Sequence, residues 1–157
     1  MRDYKELFVQ PNNRKVYIFA FFNFVMANEA VMVRETALPV TYTSATAMEK
    51  GTIVKLSDNN VVAASSATGD VIAGILARET LSTDTEAAVY EEGDFRVYAS
   101  GSITTGNPVG VITGYPNYVY DVSTVSNLSG QQIVGYARED ATNGTQFLIK
   151  LNPMHGA

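Results

Sequence analysis

The sequence has no cysteine, and its single histidine, His155, lies close to the C-terminus. Without cysteine the chain forms no disulfide, no catalytic thiolate and no cysteine-ligated zinc site. A single histidine near a chain end, where chains usually fray, does not assemble a Ser-His-Asp triad or a multi-histidine metal site. We therefore expect a protein that is not an enzyme and that binds no metal and no cofactor.

Charged residues are scarce as well, at 17% of the chain, and the formal net charge is -5. An average globular protein carries about 25% charged residues. An acidic, weakly charged chain does not build a wide basic face for a phosphate backbone. We therefore do not expect nucleic acid as a partner.

The N-terminal hydrophobic run is too short to span a membrane as a helix. The run from Val16 to Met26 has 11 residues, whereas a membrane-spanning helix needs about 20. Two basic residues before the run and Ala27 after it give it the outline of a signal peptide, although Asp3 and Glu6 precede it. A second interpretation is that Met26 is an internal start and that residues 1–25 are an extension. Both interpretations stay open, and no membrane partner is expected.

What the sequence does contain is typical of β-structure, because Val, Thr, Ser, Ala, Gly and Tyr are abundant. β-Branched and aromatic side chains pack well on a pleated surface. From Gly51 onward, short segments are separated by turn residues without sustained helical periodicity. We predict an all-β protein, either a compact small barrel or a sandwich. Its β-rich domain spans residues 44–157, and residues 1–43 form an N-terminal extension and extended arm.

The predicted strands follow one another at short intervals. Asp58, Asn59 and Asn60 predict a hairpin turn between the strands Thr52–Leu56 and Val61–Ser65. Further strands are predicted at Val71–Ala77, Ala87–Tyr90, Phe95–Ser100, Tyr118–Val122 and Gln146–Leu151.

The sequence contains two similar segments that form a short internal repeat. "IAGILARE", from Ile72 to Glu79, resembles "IVGYARE", from Ile133 to Glu139, and each is followed by a polar loop and a strand. Two copies are compatible with a duplicated strand–loop–strand unit.

The glycine-rich stretch from Tyr98 to Val111 raises the question of a phosphate-binding loop. Such a loop places its glycines after a strand and at the start of a helix, whose amides hold the anion. Here Pro108, Val109 and Val111 describe a turn and another strand. The stretch therefore predicts a turn between two strands.

Three other groups of residues have a functional and a structural interpretation. An acidic cluster could bind a hard cation but lacks the spacing of a calcium loop, which favours a solvated loop: Asp84, Glu86, Glu91, Glu92 and Asp94. Tyr115, Tyr118 and Tyr120 could form a stacking platform for sugars or bases, but tyrosines at strand spacing are more often half-buried packing residues. Asn127 and Asn143 match the glycosylation pattern and are interpreted as turns.

The segment from Val31 to Thr43 is extended in character. Val31 and Val33 alternate with Met32 and Arg34. Pro39 forbids a helix interior and shifts Leu38 toward β or polyproline geometry. This pattern predicts a strand or arm that pairs with the edge of a sheet.

Four elements of the sequence carry a resemblance to a known family. They are the extended opener with Pro39, "EKGTIVKL" at Glu49–Leu56, "GDVIAGI" at Gly69–Ile75 and "ASGSITTGNPV" at Ala99–Val109. In these elements the chain resembles the small head-decoration proteins of tailed bacteriophages, of the lambda-like type. The resemblance covers Met26 to about Asn152 and leaves residues 1–25 outside it.

The resemblance implies a structural virion protein on the outer surface of the expanded capsid, assembled in the host cytoplasm, with the major capsid protein as its partner. Such proteins commonly form trimers at three-fold and quasi-three-fold positions and stabilise the shell against internal DNA pressure. On this basis and on the pattern of the opener, we predict a capsid-binding arm of Val31, Val33, Leu38, Pro39, Val40 and Tyr42. The predicted trimer interface comprises Ile103, Val109, Val111 and Tyr115.

Two other classes of function remain as alternatives. A secreted or virion-surface carbohydrate-binding β module would need an exposed tyrosine platform. A small hydrolase would need a pair of carboxylates in a cleft, and no motif in the sequence selects such a pair.

Overall fold

The computed structural model describes residues 28–125 and 132–153, which form eleven β strands and no α-helix. The all-β prediction is therefore confirmed. The predicted signal-peptide outline, the second start site, Asn127 and His155 lie outside the described residues. Within those residues, no helix is long and apolar enough to cross a bilayer. The strands are β1 (Val31–Arg34), β2 (Val40–Thr43), β3 (Ile53–Asp58), β4 (Val61–Ala64), β5 (Ile72–Leu76), β6 (Glu86–Tyr90), β7 (Gly93–Ala99), β8 (Pro108–Val111), β9 (Tyr118–Asp121), β10 (Ile133–Ala137) and β11 (Gln146–Leu151).

Two small barrels are built from these strands. Strands β2, β4, β3, β5 and β6 close, in that order, into the first barrel. Strands β7, β11, β10, β8 and β9 follow one another in the second sheet, and a further pairing between β7 and β9 closes them into the second barrel. Strand β1 is added to the second barrel beside β7. The structure thus decides the question of barrel or sandwich in favour of barrels.

The two barrels have the same topology. In each, the first strand along the chain pairs in parallel with the third, β2 with β4 and β7 with β9. The other pairings are antiparallel, and replacing β2 to β6 by β7 to β11 converts one strand order into the other. Strands β2 to β11 therefore form two copies of one five-stranded topology.

Hydrogen bonds outside the strands repeat in the same way. Gly51 N donates to Leu76 O at 2.9 Å in the first barrel, and Gly106 N donates to Ala137 O at 2.8 Å in the second. Isolated bridges join Met48 with Thr80 and Ile103 with Ala141. These equivalences show a repeated unit of five strands, which is larger than the strand–loop–strand unit that the sequence suggested.

The two similar sequence segments occupy equivalent structural positions at their glycines but not along their whole length. Gly74 and Gly135 occupy equivalent places in β5 and β10, because each faces the last part of the neighbouring strand, at Tyr90 and Lys150. The "ARE" triplets do not coincide. In the first barrel Ala77 N donates a hydrogen bond to Ala88 O in β6, and in the second barrel Arg138 N donates the equivalent bond to Leu148 O in β11. Ala77 is therefore equivalent to Arg138 and not to Ala137, so the triplets are displaced by one residue.

The core consists of two apolar clusters. One lies within the first barrel and includes Val54, Ala73 and Leu76. The other fills the second barrel and also contains Ile53, Ile72 and Ile75 from the first. Adjacent residues of a strand point to opposite faces, so β3 and β5 bury one face inside their own barrel and the other face against the second barrel. This is why β5 is buried at every residue.

A buried side-chain contact also joins the barrels. Asn117, which precedes β9, is buried and accepts a hydrogen bond from Ile53 N at 2.9 Å through its Oδ1 atom. The backbone of Asn117 has a φ of 64°, a conformation that asparagine tolerates better than most residues. On the surface, Thr68 N donates to Thr113 Oγ1 at 2.8 Å.

Asp70 organises the turn between β4 and β5. Its Oδ2 atom accepts hydrogen bonds from Ser65 Oγ at 3.0 Å, Ser66 N at 2.9 Å and Ala67 N at 3.0 Å, and Lys55 Nζ lies 3.1 Å from Oδ1. Burial opposes ionisation of this carboxyl group, but the hydrogen bonds outweigh burial and lower its pKa. The carboxylate form of Asp70 is therefore part of the folded structure.

Candidate interaction surface

Exposed apolar side chains are concentrated at the start of the described chain. Among the described residues, seven large hydrophobic side chains are exposed, and four of them are Val31, Val33, Leu38 and Val40. We call these four the N-terminal apolar strip. The remaining three, Leu81, Tyr115 and Val125, lie in separate connections. Scattered exposed hydrophobic residues are normal, whereas a cluster of them is typical of an interaction site.

Strand β1 carries the first half of the strip. Its side chains alternate, so Met32 packs against the core while Val31 and Val33 are each 54% exposed. The strand pairs with β7, and no other strand of the described residues pairs with it. One row of its backbone amides and carbonyls is therefore open to another strand.

The attachment of β1 to the second barrel relies on a buried carboxylate. Asp94, at the start of β7, is 3% exposed and forms an ion pair with Arg34 at the end of β1. Arg138 Nη2 lies 3.5 Å from the other carboxylate oxygen of Asp94. At the opposite end of the strand, Ala30 N donates to Gly51 O at 2.9 Å. The first half of the strip thus lies on a strand that is fixed at both ends.

The second half of the strip lies in the connection to β2 and in β2 itself. Leu38 is 80% exposed and Val40 is 45% exposed, while Pro39 between them is half-buried. Tyr42 is different, because its ring belongs to the core of the first barrel and its hydroxyl donates to Glu91 Oε2 at 2.6 Å. Burial and then the contact with Glu91 raise the pKa of Tyr42. Tyr42 therefore supports the barrel rather than the exposed strip.

The predicted trimer residues are mostly inside the second barrel. Ile103, Val109 and Val111 are buried in its core cluster, so their side chains are used for packing within the chain. Tyr115 is 57% exposed. Of the four residues, it alone offers its side chain to another molecule.

Tyr115 belongs to an aromatic group that the sequence predicts only in part. Its ring lies edge-on to that of Tyr118, with 6.2 Å between centroids, and Tyr118 contacts Tyr98 at 5.7 Å. Tyr115 and Tyr118 border an open groove of about 420 Å³, and Tyr98 lies behind Tyr118. Tyr120 does not line the groove, so the structure brings together two of the three tyrosines named from the sequence and adds Tyr98.

The chain resembles known proteins only weakly. No family model and no curated protein matches it. One solved structure with partial similarity is described as "The crystal structure of head fiber gp8.5 N base in bacteriophage phi29". The match has a TM-score of 0.47 and 12% sequence identity, and it covers 74% of this chain and 97% of the other.

The acidic cluster named from the sequence divides into separate contacts. Asp84 accepts a hydrogen bond from Leu81 N at 2.8 Å, Glu91 accepts from Tyr42, and Asp94 pairs with arginines.

In the glycine-rich stretch, residues 100–107 connect β7 to β8 and no helix begins there.

Sequence reasoning named Arg34, Asp94 and Asn143 but missed the ion pair of the first two and the place of the third in the groove. Arg34 and Asp94 are 60 residues apart in the chain, so no local pattern links them. Asn143 has a local signal, the Asn-Gly turn, but its position beside the tyrosines depends on how the second barrel closes.

Proposed function

We propose that this protein is a structural virion protein that binds the outer surface of an expanded phage capsid through the N-terminal apolar strip. The observation that carries the proposal is that four of the seven large hydrophobic side chains exposed among the described residues, Val31, Val33, Leu38 and Val40, fall within residues 31–40, two of them on β1, whose outer edge pairs with no other described strand. The sequence resemblance to phage head-decoration proteins supplies the identity of the partner. The partial likeness to the head fiber base, at 12% identity, adds no argument.

Covering the strip provides a useful part of a binding energy. Full burial of an aliphatic side chain contributes about 1.5–3 kcal/mol, so covering a valine that is half exposed contributes about 1 kcal/mol. Four such side chains contribute about 4 kcal/mol per copy before the costs of association are subtracted. Backbone hydrogen bonds to the open edge of β1 would add to this by β-strand addition.

The attachment of β1 favours this use of the strip. The ion pair of Arg34 with Asp94 and the bond from Ala30 to Gly51 hold the strand before any partner arrives. A surface that is already ordered loses less conformational entropy on binding. Occupation of several symmetric capsid positions by a trimer would raise the apparent affinity further through avidity. The proposal includes a trimer, and it assigns no catalytic step to the protein.

The test is cosedimentation of the purified protein with expanded and unexpanded heads of the cognate phage. The wild-type chain should bind expanded heads saturably and unexpanded heads weakly. Val33→Asp should weaken binding about tenfold or more, because the complex would lose the apolar contact and bury a carboxylate. Leu81→Asp is the matched control, since Leu81 is similarly exposed at 59% but lies between β5 and β6.

Two results would overturn the proposal. One is an absence of wild-type binding to either form of the head. The other is equal binding by Val33→Asp and Leu81→Asp. Point substitutions are preferable to deleting residues 1–43, because β2 is a strand of the first barrel and its removal would open that barrel. The mass of the protein in solution and its stoichiometry on the capsid would test the trimer.

A further inference from the structure

The open groove in the second barrel has the composition of a ligand site. Its volume of about 420 Å³ is within the range of about 300–1,000 Å³ typical of small-molecule sites. Connections between strands form it together with the first residue of β9, so it lies at the rim of the barrel. The lining residues are Ser100, Ile112, Tyr115, Tyr118, Asn143 and Gly144.

The aromatic side of the groove presents a ring to solvent. Tyr115 is 57% exposed, while its edge-on contact with Tyr118 and the contact of Tyr118 with Tyr98 support it from behind. A supported tyrosine combines a flat apolar face with a hydroxyl group at the edge. Neither the Tyr115 nor the Ser100 hydroxyl has a hydrogen-bond partner in the part of the chain that is described. Both are therefore open to a ligand.

The polar side of the groove is uncharged, and a hydrogen bond fixes the orientation of its amide group. Asn143 Oδ1 accepts a hydrogen bond from Gly101 N at 2.9 Å, which leaves the two N–H donors of the amide for another molecule. Gly144 has no heavy atom within 4 Å of the place where a Cβ would stand, so the turn leaves this side open. Among the residues that the structure describes, no charged side chain lines the groove.

We propose that this groove binds a neutral saccharide, with Tyr115 stacking on the apolar face of a pyranose ring and Asn143 and Ser100 bonding to its hydroxyl groups. A sugar has the same combination of an apolar face and a hydroxyl rim that the groove offers. A nucleotide or other anion fits less well, because the groove has no cation and the chain has a formal net charge of -5. The inference is independent of the N-terminal apolar strip and of capsid binding.

The experiment begins with a glycan array and continues with saturation-transfer NMR, using maltotriose and fully N-acetylated chitotriose, both neutral, plus the best array binder as soluble probes. The wild-type chain should bind at least one probe. Tyr115→Ala should reduce affinity about tenfold or more, whereas Tyr115→Phe should retain most of it because the ring remains. Tyr120→Ala is the matched control, since Tyr120 is a half-buried tyrosine of the same strand as Tyr118 and lies outside the groove.

Asn143→Asp provides a second, finer variant. The aspartate keeps an oxygen for Gly101 N but replaces the two amide donors, so it should weaken saccharide binding without unfolding the turn. The proposal is overturned if no probe binds, if Tyr115→Ala binds like wild type, or if Tyr120→Ala loses as much affinity as Tyr115→Ala. It also fails if Tyr115→Ala changes the oligomeric mass and leaves saccharide binding intact, because Tyr115 would then belong to an interface between copies.

Discussion

Substitution of Gly135 by alanine tests the closest backbone approach in the second barrel. A Cβ atom at this residue would stand 2.1 Å from Lys150 O, 3.0 Å from Lys150 C and 3.1 Å from Leu151 Cα. All three atoms are backbone atoms of the paired strand β11, so no side-chain rotation relieves the contact. To reach an ordinary separation, β10 and β11 must move apart by about 1 Å or more.

The cost of this movement is expected to be at the upper end of the overpacking range, about 3 kcal/mol. Alanine also restricts the unfolded chain, which offsets the cost by about 0.4–1 kcal/mol. For a domain of this size, 1 kcal/mol corresponds to a change in melting temperature of roughly 2–4 °C. Gly135→Ala should therefore lower the melting temperature by roughly 5–10 °C in circular dichroism.

The duplication supplies a second test and a control. Gly74→Ala in the first barrel should have a similar effect, because its Cβ would stand 2.0 Å from Tyr90 O. Gly144→Ala meets no atom within 4 Å and should cost only the strain of its φ of +81°, about 1 kcal/mol. The reasoning is refuted if Gly135→Ala melts within roughly 2 °C of wild type, a shift that corresponds to about 1 kcal/mol or less, or no lower than Gly144→Ala.

Three further substitutions probe the contacts that hold the barrels and β1 in place. Asp70→Asn should destabilise the chain by about 1–2 kcal/mol at pH 7. Because the pKa of Asp70 is lowered by folding, its contribution is present above the ordinary value of 3.8 and is lost as the pH falls below it, so urea titrations of the two proteins should converge in acid. Asp94→Asn should cost about 1–2 kcal/mol, since its arginine partners remain partly in water, and should speed hydrogen exchange in β1; unchanged exchange would contradict the assigned attachment. Asn117→Ala should cost about 2–3 kcal/mol, through the lost bond to Ile53 N and the positive φ, and a loss below 1 kcal/mol in denaturant unfolding would contradict the link between barrels.

Local signals predicted the strands of the domain well. The hairpin turn at Asn59 and Asn60 joins β3 to β4, and Asn60 adopts a φ of 55°, as its turn chemistry requires. The extended segment with Pro39 became β1 and β2, separated around the proline. These features depend on a few neighbouring residues, which is why a single sequence is enough to predict them.

The sequence could not show which faces of the strands are covered by other elements and which are exposed to solvent. Alternation shows which side chains share a face of a strand but not what covers that face. Val33 and Val109 are both apolar strand residues, yet the first is 54% exposed and the second is buried at 0%. The difference arises because Val33 lies on the face of β1 opposite the core-facing Met32, whereas Val109 belongs to the core of the second barrel.

By itself, therefore, the sequence determined an all-β chain, the positions of most strands and turns, and an extended apolar opener. Only the tertiary structure decided that the strands close into two barrels of one topology and that β1 and β2 belong to different barrels. It also placed Asp94 beside Arg34, and Asn143 and Tyr115 along one groove. These contacts join residues far apart in the chain, and they form only when barrel closure fixes which edges and loops meet.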